Sequence, residues 1–224
     1  MHPFLLIRIL LLAPLALVAA ACQQAEAPGG DPALYRIDRP GAAPDAQAAG
    51  WLFGTIHALP EGTQWHRPAI DKALEQSGVL IVEIADLDPA KVRDTFARLS
   101  IDPALPPLEQ RVSPEYRDEL AELLDETGVN ARQFRHVESW AAAISLSALM
   151  QGKSGMDAGE GVDRALIADY APRPVSGLET VEGQFAIFDR LDAAAQQDLL
   201  ESLLENEDED PSEMTGAWLA GDTD

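Results

Sequence analysis

VLIVEIA, residues Val79 to Ala85, is the stretch of the sequence that decides the fold class. It is a nearly continuous apolar run of strand length, which is typical of a strand covered on both faces, as in parallel sheets. Asp88 and Pro89 then carry a helix-start signal, because aspartate caps a helix and proline suits its first position. A covered strand that leads into a helix predicts an α/β fold.

Further strands and helices are predicted on both sides of this run. The other strand candidates, recognised by bulky or alternating apolar residues between turn signals, are 34–38, 51–57 and 174–178. The remaining helix starts are predicted at the capping residues Ser113, Thr180 and Asp192, and further helices at 68–76, 137–150 and 162–170. The 137–150 segment is apolar around most of its circumference, so it should be a buried helix. We expect a mixed central sheet with a large helical insertion.

Composition and charge exclude some functions. The 224 residues include 38 acidic and 16 basic side chains, a formal net charge of −22, and 46% hydrophobic residues. The apolar share is that of a packed domain, and the length favours one domain or at most two. Binding to nucleic acid needs clustered lysine and arginine, so we expect no nucleic-acid partner. A single cysteine excludes an internal disulfide framework.

The N-terminus has the pattern of a signal peptide. Arg8 precedes an uncharged run, Ile9 to Ala21, that is rich in leucine and alanine. This run is too short to span a bilayer core of roughly 30 Å, and no other segment is long and apolar enough. We therefore expect residues 1–21 to be a signal peptide, the protein to be exported, and the mature chain to have no transmembrane helix.

Cys22, which follows Ala19-Ala20-Ala21, allows two interpretations. It is either the lipid-accepting cysteine of a bacterial lipoprotein, or an incidental residue after ordinary A-x-A cleavage. The first makes the protein a periplasmic lipoprotein anchored to a membrane through Cys22. Residues 22–33 are small, polar and rich in glycine and proline, and predict a flexible tether before a domain at 34–224.

His57 is the first candidate for catalysis or metal binding. It lies at the C-terminal end of the predicted 51–57 strand, three residues after Gly54. Open α/β sheets bind ligands at the carboxyl ends of their strands, and a glycine there permits close approach of another backbone or a ligand. The alternative is a histidine that ends a strand and bonds a neighbouring loop.

Glu83 is the second candidate, because it lies inside the apolar run. A carboxylate in a strand covered on both faces costs several kcal/mol unless it is paired or coordinated. The alternative is an edge strand whose Glu83 side is wet. Glu83 lies two residues before the end of the predicted strand, so it too is expected near the carboxyl edge, as His57 is.

The other candidates have simpler explanations beside the functional ones. His66 and His136 are expected to be surface or structural residues, and Asp163 is favoured at a helix start by the helix dipole alone. Glu179 ends the predicted 174–178 strand and so could face the edge that His57 and Glu83 share. Serine-nucleophile, phosphate-loop, HExxH and CxxC motifs are absent from the sequence. A histidine with carboxylates fits Zn²⁺, Mn²⁺ or Co²⁺.

Four stretches together resemble the TraB/GumN family, which is related to the Tiki-type metalloproteases. Trp51 to Pro60 (WLFGTIHALP), followed by Trp65, is similar to its opening motif, and Val82-Glu83-Ile84 to its second. Residues 161–166 (GVDRAL) are similar to the third motif, and 177–185 (GLETVEGQF) with 196–200 (QQDLL) to the stretch that follows. The resemblance covers roughly residues 34–222 and is carried by the order of the motifs.

The resemblance implies an α/β fold and metal-dependent hydrolysis. It assigns His57 and Glu83 to the active site and marks Gly54, Gly161 and Asp163 as motif residues. The family also carries a second GxxH near its C-terminus, after a Trp-x-x-Gly-Asp segment. Here Trp218 to Asp222 (WLAGD) is followed by only two residues. The domain is therefore expected either to be C-terminally incomplete or to have lost this part of the site. Glu179, from its place at the end of its strand, is the candidate third metal ligand beside His57 and Glu83.

Two functional hypotheses follow. The first is an extracytoplasmic, metal-dependent hydrolase that resembles a peptidase and acts on an unidentified peptide or protein. In it, His57 binds the metal, and Glu83 binds the metal or acts as general base. The alternative is a non-catalytic envelope lipoprotein that binds a partner and in which His57 and Glu83 form a buried structural pair.

Overall fold

Two paired parallel strands carry two of the candidate residues, Glu83 and Glu179. A computed structural model describes residues 28–43, 45–205 and 211–222. In it β4 (Leu80–Ile84) pairs in parallel with β6 (Val175–Glu179), with Val82 opposite Gly177 and Ile84 opposite Glu179. The predicted signal peptide and Cys22 lie outside the described residues.

Two antiparallel pairs complete the sheet structure. β1 (Leu34–Ile37) pairs with β2 (Gly50–Phe53), and the two-residue strands β3 (Leu59–Pro60) and β5 (Met156–Asp157) pair with each other. The predicted α/β class is confirmed. Within the described ranges, however, the strands form three two-stranded sheets, where the sequence predicted one central sheet.

The described residues contain eight α-helices, four of them between β4 and β6. They are α1 (Pro68–Gln76), α2 (Pro89–Leu99), α3 (Arg117–Thr127), α4 (Ser139–Lys153), α5 (Val162–Tyr170), α6 (Val181–Asp189), α7 (Ala193–Glu205) and α8 (Pro211–Ala220). The bounds of α1 and α5 are those that the sequence predicted. None of the helices in this part of the chain combines the length and the apolar character that crossing a bilayer requires.

Capping side chains begin two of these helices as predicted. Asp88 accepts hydrogen bonds from the backbone N–H groups of Ala90 and Lys91, and Thr180 accepts one from Gly183. Ser113, in contrast, precedes a short 3-10 turn and makes no capping bond, so α3 begins at Arg117, three residues after the Pro114 start that the signal suggested. Ser113 instead bonds Glu201 and Gln197 of α7.

The apolar residues form two separate cores. The helical core lies between α3, α4 and α7 and is built from leucines such as Leu120, Leu146 and Leu200. The second core joins Leu59 of β3 to α1, α5 and α8. The candidate residues lie beside this second core.

The expectation that β4 is covered on both faces is wrong. Leu80 packs against the second core, whereas Ile81, which points to the other side, is 58% exposed. The reason is that, among the described residues, β4 has one strand partner and a core on one side only. An apolar run therefore indicates that a strand is hydrophobic, but it does not indicate whether one or both of its faces are covered.

Residues 28–33 belong to the packed body, although the sequence predicted a tether over 22–33. The backbone N–H of Gly30 donates to Gln64, that of Asp31 donates to Leu219, and Arg67 forms an ion pair with Asp31. Backbone hydrogen bonds of this kind fix the chain in place. The tether prediction was therefore too long at its C-terminal end.

Candidate active site

His57 lies in a loop and not at the end of a strand, because β2 ends at Phe53. Two hydrogen bonds hold this loop. The indole N–H of Trp218 donates to the carbonyl of Gly54 at 2.9 Å, and the backbone N–H of Val162 donates to the carbonyl of Ile56 at 2.9 Å. The loop is therefore fixed against the first turn of α5.

Gly161 allows this contact between the loop and α5. A Cβ atom at position 161 would lie 2.4 Å from the carbonyl oxygen of His57, a separation that no side chain could keep. Gly54 has no such constraint, because a Cβ there would meet nothing within 4 Å. The close approach that the sequence suggested for Gly54 is found instead at Gly161.

Asp163 orients the His57 ring. Its Oδ2 lies 2.9 Å from Nδ1 of His57, and its Oδ1 accepts a hydrogen bond from the Thr55 hydroxyl at 3.1 Å. The Asp163 side chain is 14% exposed, and it lies in the first turn of α5, where the helix dipole favours a negative charge. Since an ionised carboxylate can only accept, Nδ1 donates, and in the neutral ring Nε2 keeps its lone pair.

Glu83 faces the other nitrogen of the same ring. Its Oε2 lies 3.7 Å from Nε2 of His57, and its Oε1 accepts a hydrogen bond from the side-chain amide of Gln184 on α6. The Glu83 side chain is 42% exposed, so the carboxylate is not the deeply buried group that the apolar run suggested. The short strand pair leaves that side of β4 open.

The cluster opens into a small cavity of about 250 Å³. The cavity is lined by His57, Glu83, Asp163 and Gln184, together with Arg164 and nearby apolar residues. The His57 side chain is 73% exposed, so an external ligand can reach Nε2.

Glu179 does not join the cluster. It lies opposite Ile84 in the β4–β6 register, and neighbouring residues of a strand point to opposite sides. The Glu179 side chain therefore points away from the side of β4 that carries Glu83. Asp163, which the sequence offered as a further candidate and as a motif residue, is the second carboxylate at His57.

The other two histidines lie elsewhere. His66 Nε2 bonds Asp71 at 2.7 Å, its Nδ1 lies 3.4 Å from Asp169, and its ring stacks on Trp65 at 5.1 Å. His136 is exposed, and its carbonyl accepts a hydrogen bond from the backbone N–H of Asp102. Neither histidine lines the small cavity.

Thr55 and Gln184 were not identified as candidates from the sequence. Both lie in stretches that the family resemblance had already marked, Thr55 in WLFGTIHALP and Gln184 in GLETVEGQF. That placement was the available signal. Their contacts join residues about a hundred positions apart, with Gln184 lying 101 residues after Glu83.

The donor set fits a divalent ion in part. Within the residues that the structure describes, no group of three or more His, Cys, Asp or Glu side chains is arranged to hold a metal ion. His57 Nε2 and Glu83 Oε2 offer two donors, and their 3.7 Å separation accommodates one ion at the usual bond lengths of about 2.0–2.2 Å. An ion held by these two groups would complete its coordination with water or substrate oxygens.

The fold and the site define an α/β protein with a carboxylate–histidine–carboxylate cluster between a strand, a loop and a helix N-terminus. The chain belongs to the TraB/PrgY/gumN family, whose family model matches residues 33–224. This confirms the family that the motifs indicated.

Two curated relatives carry the same printed name, uncharacterized protein YbaP. The Escherichia coli (strain K12) and Shigella flexneri proteins are each 33% identical to this chain over 139 residues, which is 61% of this chain and 50% of each relative. The match thus spans about half the length of these curated relatives. No solved structure gives a significant match.

Proposed function

We propose that this protein is a metal-dependent hydrolase that resembles a peptidase and acts outside the cytoplasm. One observation carries the proposal. Asp163 bonds Nδ1 of His57 at 2.9 Å, while Nε2 of the same exposed ring lies 3.7 Å from the Glu83 carboxylate. A carboxylate that holds one nitrogen of a histidine while the other remains available is the usual support of a metal-binding histidine.

His57 and Glu83 would hold the ion, and Zn²⁺, Mn²⁺ and Co²⁺ suit these donors. A bound divalent ion supplies Lewis acidity for hydrolysis. Asp163 is a positioning residue, because it acts on the reaction only through the orientation of His57. Gln184 fixes the Glu83 carboxylate through Oε1, which leaves Oε2 to bind the ion or to accept a proton from an attacking water.

The test combines metal content with activity. The purified wild type is expected to retain about one divalent ion per chain and to be stabilised against heat by added Mn²⁺ or Zn²⁺. His57→Ala and Glu83→Gln should lose both properties and the hydrolysis of a peptide library followed by mass spectrometry. His136→Ala is the matched control, since His136 is exposed and lies outside the cavity.

A second function is favoured by the small number of donors. Because no described cluster offers three ligands, the site also suits a non-catalytic lipoprotein that binds a partner. In that case, His57→Ala lowers the thermal stability while added metal changes nothing in either protein. Stoichiometric metal retained by His57→Ala would contradict the hydrolase assignment.

Export is proposed from the N-terminal sequence alone. The Arg8-containing leader and Cys22 support a periplasmic protein that is anchored by lipid. Expressed in a bacterial host, the wild type should incorporate labelled palmitate and fractionate with membranes, and Cys22→Ser should do neither. Retention of the uncleaved protein in the cytoplasm would refute this location.

A further inference from the structure

A larger groove of about 660 Å³ adjoins the candidate active site. Its walls include β2 and β4, and α1 contributes residues such as Ile70 and Ala73. Glu83 and Asp163 line both this groove and the small cavity. A molecule lying in the groove would therefore reach the reactive side chains without leaving the protein surface.

The groove meets both strands along their edges. Every residue from Gly50 to Phe53 and from Val79 to Glu83 lines it. A ligand on the face of a strand would contact only every second residue, so consecutive lining residues indicate contact with the backbone edge. In the described part of the chain, β2 pairs only with β1 and β4 only with β6, so each strand has one edge without a strand partner.

Exposed apolar side chains line the groove. Leu52 of β2, Ile81 of β4 and Leu178 of β6 are large, exposed and part of the lining. Exposed apolar groups in one concave patch indicate a binding surface more than scattered single residues do. The groove thus combines strand edges that have no strand partner in the described residues with exposed apolar side chains.

We propose that the groove binds an extended peptide segment as an added β-strand at the edge of β4 that has no strand partner. This proposal rests on the proposed function and names the substrate class of that site: an unfolded or extended polypeptide with alternating apolar side chains. Strands of four to five residues at a rise of about 3.3 Å hold a peptide of similar length. Main-chain hydrogen bonds would give affinity, and the exposed apolar side chains of the groove would select alternate side chains of the peptide.

The edge of β4 favours a peptide over other occupants. An extended chain presents alternating N–H and C=O groups at strand spacing, which matches a strand edge that has no strand partner. An acyl chain offers no donors, so it would leave that edge unpaired. β2 leads towards His57 and β4 carries Glu83 near its end, so a bound strand would extend towards both residues.

Binding is tested separately from catalysis, with chelator present. The probe is a fluorescein-labelled peptide of about ten residues that alternates valine with threonine and has a lysine at each end. Fluorescence anisotropy should show binding to the wild type and to His57→Ala. Ile81→Lys should weaken it at least tenfold, whereas the matched control Ile187→Lys should not, because Ile81 and Ile187 are 58% and 57% exposed and only Ile81 lines the groove.

A second probe tests the main-chain bonds. The same peptide with its central amides N-methylated keeps its side chains but loses donors, and it should bind at least tenfold more weakly. Equal affinity for the two peptides, or equal affinity of Ile81→Lys and Ile187→Lys, would overturn strand addition. So would a wild-type dimer that Ile81→Lys converts to a monomer, because a second copy would then be the occupant.

The two proposals fail in different ways. Peptide binding without metal retention or hydrolysis would contradict the hydrolase assignment and would leave the peptide-binding proposal intact. Peptide hydrolysis that is lost in His57→Ala but unchanged in Ile81→Lys would support the hydrolase assignment and overturn the proposal that the groove binds the peptide.

Discussion

At the scale of single residues, one imidazole is shared unequally by two carboxylates. Asp163 is within hydrogen-bond distance of Nδ1 at 2.9 Å, whereas Glu83 stands 3.7 Å from Nε2. Asp163 is also mostly covered and bonded to Thr55, while Glu83 is open to the cavity. Their environments suit one carboxylate for holding the ring and the other for contact with a ligand.

Asp163→Asn tests this division. The amide oxygen can still accept from Nδ1, but it carries no charge, so it holds the His57 ring less firmly. Affinity for Mn²⁺ or Zn²⁺, measured by isothermal titration calorimetry, should drop by about 10- to 100-fold. Asp71→Asn is the matched control, because Asp71 forms the equivalent bond to His66 outside the site. Equal losses in the two variants would contradict the role given to Asp163.

Gly161→Ala tests the contact between the loop and α5. The added Cβ would lie 2.4 Å from the His57 carbonyl, so the backbone has to move. We expect a loss of about 1–3 kcal/mol in the free energy of unfolding, measured with urea. Gly54→Ala, where the Cβ meets nothing, should change it by less than about 0.5 kcal/mol. A Gly54→Ala loss as large as that of Gly161→Ala would show that the loop geometry is different.

At the scale of elements, the position of the Glu83 side chain depends on two helices, α2 and α6. α2 packs on α6 through an edge-to-face contact of Phe96 with Phe185, with ring centroids 5.3 Å apart. α6 in turn carries Gln184, which bonds Glu83. α2 therefore helps to hold the Glu83 carboxylate in place through α6.

Asp88→Ala should destabilise the protein through the first turn of α2. The side chain of Asp88 caps two backbone N–H groups, and loss of such a cap costs about 1 kcal/mol. The urea midpoint should fall accordingly. Asp94→Ala, which removes an exposed carboxylate from the same helix, should change the free energy of unfolding by less than about 0.5 kcal/mol. If the two midpoints fall equally, charge and not capping is responsible.

At the scale of the whole molecule, polar contacts attach α7 to the segment before α3. Burial acts to raise the pKa of Glu201, but hydrogen bonds from the Ser113 backbone, Gln197 and the Ser113 hydroxyl outweigh it, and the net pKa is lowered. A hydrogen bond with Glu205 raises the pKa of Tyr116 to about 12. These contacts join parts of the chain separated by more than eighty residues.

The lowered pKa of Glu201 predicts a dependence of stability on acid. A carboxyl group whose pKa is lower in the folded state stabilises above its ordinary value of 4.5, and this contribution is lost as the pH falls through the folded value. Urea unfolding from pH 7 to pH 3 should therefore show a smaller acid-induced loss for Glu201→Gln than for the wild type. Glu122→Gln, at an exposed position on α3, should follow the wild type. Identical curves for all three proteins would remove Glu201 from the acid response.

The sequence was sufficient where a feature depends on neighbours along the chain. The Asp88 cap, the bounds of α1 and α5, and a strand within VLIVEIA are local, because capping and periodicity involve residues a few positions apart. The ordered motifs also identified the family and brought His57 and Glu83 forward as a pair. These signals survive without knowledge of the fold.

Tertiary structure alone decided which carboxylate meets His57. The choice of Asp163 over Glu179 depends on the β4–β6 register, which turns Glu179 away, and on the approach of α5 at Gly161. It also determined that β4 keeps one edge and one side open, although its composition resembles that of a covered strand. The register of paired strands, the distance between a helix and a loop, and the neighbours of a strand are set by packing between residues far apart in sequence. A local sequence pattern does not indicate them.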